Sequence, residues 1–140
     1  MPLNKKIAFL TLRLILGFIF FFQGFGKVFK FGLNNVYNNF FKTSYSDLLP
    51  DFILVFTSYY TSLIELFAGF LLIIGFKKNY ALYALASVLV IVTIGHGLKE
   101  PIWDLSHVIY RTILLISLLL LPNEYDILSI DYLVNKKTKK

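Results

Sequence analysis

Residues 7–26 read IAFLTLRLILGFIFFFQGFG, a stretch whose one charge is Arg13. About 20 mostly apolar residues in helical form match the thickness of a bilayer's hydrocarbon layer. Working outward, three more apolar stretches follow at about 52–76, 80–98 and 102–121. Pro50, the Lys77-Lys78-Asn79 turn and Pro101 separate them, and Pro122 closes the last. Proline lacks a backbone N–H and sits most easily where a helix starts or stops, while the short lysine turn makes the second and third spans an antiparallel hairpin. The reading is an all-α, transmembrane four-helix bundle forming a single integral-membrane domain over residues 1–140. Arg13 interrupts the first span and no A-x-A-like small-residue site follows Phe22, so this span is read as an uncleaved helix and not a signal peptide.

Composition supports a membrane chain. Of 140 residues, 57% are hydrophobic and 16% charged, against about half and a quarter in soluble domains. A soluble chain this short buries only about two thirds of its surface, too little to hide 15 Phe and 9 Tyr. The absence of cysteine excludes disulfide frameworks, thiol redox catalysis, iron–sulfur clusters and thiolate zinc sites. The formal charge of +6 would point to nucleic acid in a soluble protein, but these lysines flank apolar spans, so no nucleic-acid partner is expected. With four spans, Lys5, Lys6, Lys77, Lys78, Lys136, Lys137, Lys139 and Lys140 share one side, against Lys27, Lys30, Lys42 and Lys99 on the other. The positive-inside rule puts both termini in the cytoplasm. Outside lies the loop 27–50, where Phe29, Phe31, Leu33, Tyr37, Phe40, Phe41 and Tyr45 alternate with asparagines; it suits either a cap over the bundle mouth or an aromatic interface belt. The tail 122–140 mixes apolar and acidic residues before its lysines and is expected to lie along the inner interface as a short helix.

Inside the spans, the residues that do not belong in hydrocarbon carry the information. Arg13, Glu65, His96 and Arg111 lie one to a helix, and a charged group at mid-membrane costs about 2.5–3.5 kcal/mol on the lenient insertion scale. At about 1.5 Å per residue, Arg13 lies about 9 Å from the inner end of its span and Glu65 about 20 Å from the outer end of a helix running the other way, so the two are expected to meet. Arg111 and His96 extend this polar track to the outer mouth, and Gln23 and Lys27 join it from the first helix. Two readings stay open: buried pairs that fix helix register, with Gly17, Gly24, Gly69 and Gly75 allowing close approach, or a pocket for the head group of a quinone, a lipid or a small anion.

His96, Glu100, Asp104 and His107 have i,i+4 and i,i+3 spacings that could converge on a divalent cation, but Pro101 breaks any common face, and no resident metal is expected. Haem would need two histidines ligating across that bend, so no intrinsic cofactor is expected, only a bound quinone or lipid. Trp103 reads as an interfacial anchor.

The stretches RLILGFIFFFQGFGKVFKFG (Arg13 to Gly32) and ELFAGFLLIIGF (Glu65 to Phe76), followed by Arg111 and by Ser-x-Asp at 129–131, resemble in their order the DoxX family. That resemblance implies a small four-helix protein of the bacterial inner membrane, related to the DoxD subunit of a thiosulfate:quinone oxidoreductase. It places Arg13, Gly24, Lys27, Glu65 and Gly69 at motif positions. The chain departs from the family in its longer, Asn-rich loop 27–50 and in Pro122–Leu128, which stands where a glycine-rich stretch is usual. Three functions follow. The first is an accessory, non-catalytic subunit of a membrane complex, with membrane lipids and a membrane-protein partner or a second copy of itself around it. The second is a quinone- or lipid-binding component of an oxidoreductase, the one route by which the chain would belong to an enzyme. The third is a small transporter or channel, which four helices without an inverted repeat serve poorly.

Overall fold

A computed structural model describes residues 2–100, 102 and 106–138. Every regular element among them is helical. Helix α1 (Leu3–Phe25) continues into a π-helical turn at Gly26–Phe31; α2 (Leu33–Val36), a second π turn (Tyr37–Lys42) and α3 (Thr43–Tyr45) fill most of the next segment. Then come α4 (Asp51–Ile74), α5 (Lys78–Lys99), α6 (Ser106–Leu120), a 3-10 turn at Asn123–Tyr125 and α7 (Ile130–Thr138).

Three of these helices are long and apolar enough to cross a membrane: Leu3–Phe31, Asp51–Ile74 and Lys78–Lys99. The fourth apolar helix, Ser106–Leu120, has 15 residues, about 22 Å of rise against the roughly 30 Å of a hydrocarbon layer, so it is shorter than the expected 102–121 span. Pro101, Trp103 and Asp104 lie outside the described residues, as do Lys139 and Lys140.

The outside of the molecule is apolar. Phe18, Phe22, Phe56, Phe67, Tyr83, Val90, Ile94 and Ile113 are exposed, while Phe9, Leu16, Phe20, Leu72, Leu82, Leu85 and Leu118 are sealed inside. Such a surface is at ease only in an apolar medium.

The most extensive contact is between antiparallel α1 and α4; α5 packs on α4, and α6 on both α5 and α1. Small residues make the first seam possible. A Cβ on Gly24 would stand 2.2 Å from the Leu66 amide nitrogen, and one on Gly69 would stand 2.4 Å from that of Phe21. Backbone therefore lies on backbone, the approach that glycine permits between membrane helices. Gly17 meets Leu72 and Ile73 while Gly24 meets Glu65 and Leu66, so each turn gained along α1 is a turn lost along α4. This register carries Arg13 past the last turn of α4, about 16 Å below the level of Gly24 and Glu65.

Helix α4 ends at Gly75, whose φ of 66° is the left-handed conformation glycine favours. The Phe76 N–H donates to the Leu71 carbonyl at 3.0 Å and Gly75 to Leu72 at 3.2 Å, the paired closure of a Schellman turn.

The segment 27–50, expected as an interfacial loop, is largely helical and folds back onto the start of α4. Tyr59 donates to Asn34 Oδ1 at 2.6 Å, and Tyr37 bonds Asp51. Phe40, Phe41 and Tyr45 line an opening between the helices, whereas Phe29 and Phe31 face outward. One segment thus turns some of its aromatics toward the opening and leaves others exposed.

The candidate site at the loop end, and a locked cluster at the other

The two ends of the bundle treat buried charge differently. At the end carrying both termini, Arg13 is 1% exposed. Its Nη1 donates to the Leu72 and Ile73 carbonyls at 2.7 and 2.9 Å, its Nη2 donates to the Leu128 carbonyl, and its Nε lies 3.2 Å from Asp126 Oδ1. The last four carbonyls of a helix have no partner inside it and carry its negative dipole end, so an arginine is well suited there.

The tail completes this end. Asp131 receives the Lys77 and Lys78 amides on its two carboxylate oxygens at 2.9 and 3.2 Å, capping the start of α5. Its own amide donates to the Gly75 carbonyl. Ser129 Oγ accepts from the Tyr132 amide and caps α7. Lys78, 4% exposed, donates to the Leu118 carbonyl at 3.3 Å and rests over the Phe9 ring. Burial pushes the Asp126 carboxyl above the usual carboxylate range, while Arg13 and Lys78 pull the other way.

The expected meeting of Arg13 with Glu65 does not occur. The tail brings Arg13 its counter-charge, and the helix register keeps it more than two turns from Glu65. The ion partner of Glu65 is Lys27, with Nζ 2.7 Å from Oε2. Glu65 is 3% exposed, and Lys27, about a third exposed, covers it.

At this loop end, Gln23, Lys27, Glu65, His96 and Arg111 all line one cavity of about 650 Å³, with Thr57, Thr61, Tyr45 and Ser44 around them. Of the six residues expected to form a polar site, Arg13 alone lies elsewhere. The walls add Ile53, Leu54, Ile91, Val92 and Leu98. The Arg111 guanidinium lies over the Phe20 ring, 5.8 Å from its centroid. The His96 ring faces back to its own helix, Nδ1 lying 2.8 Å from the Val92 carbonyl. Burial, and then Glu100, push the Tyr45 hydroxyl above its ordinary value.

Of the residues considered for a cation, His96, Glu100 and His107 line this cavity and Asp104 lies outside the described residues. Among the described residues, no group of three or more His, Cys, Asp or Glu could hold a metal ion. The arrangement offers instead a lipophilic slot with donors from arginine and lysine and acceptors from glutamate, glutamine and threonine.

Sequence reasoning missed Asp126, Lys78 and the capping roles of Ser129 and Asp131. The Ser-x-Asp motif was the available signal, and its function becomes visible only once the tail turns back on Gly75.

A family model described as DoxX matches residues 8–97, which include Arg13, Gly24, Lys27, Glu65 and Gly69 and stop short of Arg111 and of the docked tail. No curated protein and no solved structure matches the chain. With the glycine seam, the Lys27–Glu65 pair and three membrane-length helices all within or overlapping the matched residues, the chain is a multi-pass membrane protein that belongs to the DoxX family.

Proposed function

We propose that the protein closes as a four-helix bundle in a bacterial inner membrane, both termini in the cytoplasm, and that its loop-end cavity binds the oxygen-rich head group of a lipophilic molecule, a quinone or a lipid. The orientation draws on the lysine count, of which Lys5, beside Tyr125, and Lys77, beside Asp131, lie at the tail end. One observation carries the binding reading: a cavity of about 650 Å³ reaches Glu65 from between the helices. Ligand pockets are commonly a few hundred to 1,000 Å³, mostly apolar, with a small number of convergent polar groups.

In this reading Lys27 and Arg111 donate to the ligand's oxygens, and Glu65 and Thr61 accept from its hydroxyls. The Lys27–Glu65 pair also gives the site a group that can take or give a proton beside the ligand. The family resemblance adds the link to quinone chemistry. The accessory-subunit reading draws on a different feature, the small size of the chain and its largely apolar surface, and the same experiment addresses it.

That experiment is purification of the tagged protein in gentle detergent, with mass spectrometry of co-purified proteins, lipids and quinones. A retained lipophilic molecule that disappears in Glu65→Gln, while the variant keeps its helical spectrum, is the expected result. Stoichiometric partner proteins with no retained small molecule would replace this reading with the accessory subunit.

A further inference from the structure

Among the described residues lining the loop-end cavity, cationic side chains outnumber carboxylates. Lys27 and Glu65 pair and cancel. Lys99 and Glu100, also in the lining, carry opposite charges. Arg111 is the third cation of the lining, and it shares the field of Glu65 with Lys27. Among the described residues it makes no ion pair and no hydrogen bond, and its contact is the face of Phe20. An arginine on an apolar helix that makes no ion pair is costly, and such residues mark ligand or ion sites.

Gln23 has the complementary deficit. Its Oε1 is buried and accepts no hydrogen bond among the described residues. Phe20 and Gln23 are three apart on α1 and so share a face. That puts the Gln23 amide about 5 Å along the helix from the ring on which Arg111 rests. Glu65 is at the same level, opposite Gly24. An unmet donor set and an unmet acceptor therefore stand side by side in one apolar slot.

We infer that the cavity binds the head group of a phospholipid that carries one negative charge and a free hydroxyl, its phosphate oxygens on the Arg111 guanidinium and its hydroxyl donating to Gln23 Oε1. This rests on the cavity reading above and narrows it. The excess of cations among the described lining residues favours an anion, whereas a neutral quinone accepts from Arg111 without balancing it. Arginine presents its N–H groups as a fork that matches phosphate oxygens two at a time. The lone acceptor on Gln23 selects a hydroxyl, and the walls of Ile53, Leu54, Ile91 and Val92 select an acyl-bearing molecule over a free phosphate ester.

The test is native mass spectrometry of the full-length protein, delipidated in detergent and offered equimolar phosphatidylglycerol, phosphatidylmethanol, phosphatidylethanolamine and ubiquinone, with glycerol 3-phosphate as the water-soluble arm. Phosphatidylglycerol is expected to be retained about tenfold over phosphatidylethanolamine, and glycerol 3-phosphate not at all. Charge-assisted hydrogen bonds of this kind are worth about 10- to 100-fold in affinity, the loss expected in Arg111→Gln. Arg111→Lys keeps the charge and retains an intermediate level, separating lost binding from lost fold. Gln23→Leu is expected to lower phosphatidylglycerol to the level of phosphatidylmethanol, which has the charge and lacks the hydroxyl.

Equal retention of phosphatidylglycerol and phosphatidylethanolamine, or no change in Arg111→Gln, overturns the inference. Retention of ubiquinone alone overturns it and leaves the cavity reading standing. Glycerol 3-phosphate bound as well as the lipid overturns the lipid assignment in favour of a free anion. No retained lipophile of any kind overturns both readings.

Discussion

Arg13 and Arg111 are the same side chain in the same kind of helix, and they end up in opposite circumstances. Arg13 is 1% exposed and held by three carbonyls and a carboxylate. Arg111 has a ring face on one side and a cavity on the other. A buried arginine held by helix-end carbonyls and an ion pair within the chain is part of the framework; one that makes neither among the described residues is poised for something from outside. The difference does not lie in the residue or its burial in the sequence pattern. It lies in whether a later segment folds back to meet it.

The sharpest way to break this comparison is to remove each arginine in turn. Arg13→Met leaves Asp126 and the end carbonyls of α4 without a donor, and loss of one partner of a buried ion pair costs about 3–5 kcal/mol. Thermal unfolding in detergent should show the largest drop of any variant here. Next comes the seam that holds the two ends in register. Gly24→Val pushes a side chain into the Leu66 backbone, and overpacking of this kind costs about 1–3 kcal/mol. Gly26→Ala, where nothing lies within 4 Å of the new Cβ, should stay within about 0.5 kcal/mol of the parent.

Glu65→Gln removes the carboxylate under Lys27. Because Lys27 reaches solvent, the cost should be about 1 kcal/mol, well below that of Arg13→Met. Arg111→Met should be close to neutral, or slightly stabilising, in delipidated protein, because it exchanges a charge that makes no ion pair among the described residues for an apolar side chain of similar length. A loss as large as that of Arg13→Met would erase the distinction between the two ends.

The smallest effect is a pH dependence. Asp126 has its folded carboxyl raised by burial above its ordinary value of 3.8. A raised acid binds its proton more readily in the folded state, so its contribution to stability is fully present below the unfolded value and is lost as pH rises through the folded one. Unfolding temperatures from pH 7 down to about 4 should rise by more in the parent than in Asp126→Asn, and the difference between the two curves isolates this group.

Much of this was legible in the sequence. Three membrane-length helices follow from apolar run lengths, and the glycines of the α1–α4 seam follow from small residues recurring in both spans. Gln23, Lys27, Glu65, His96 and Arg111 share a cavity because residues foreign to hydrocarbon must face inward. What was not legible was the partner of Arg13. Depth counted from apolar boundaries started α1 at Ile7, four residues after its true start at Leu3, and took no account of the register that Gly17 and Gly24 impose. Asp126 read as one acid in an interfacial tail, and Lys78 as a topology charge. Their burial depends on the chain turning at Gly75 and at Pro122, a tertiary event that leaves no period in the sequence.

The docking of the tail has a consequence for the order of synthesis. The Leu128 carbonyl that Arg13 bonds lies 115 residues further along the chain, and the Asp126 carboxylate lies nearly as far. During translation the first helix is made before any of its arginine's partners: the Leu72 and Ile73 carbonyls come with α4, and the carboxylate only with the segment around Asp126. A chain truncated before Asp126 therefore keeps a buried arginine without its counter-charge, a mark that sets it apart from the folded protein.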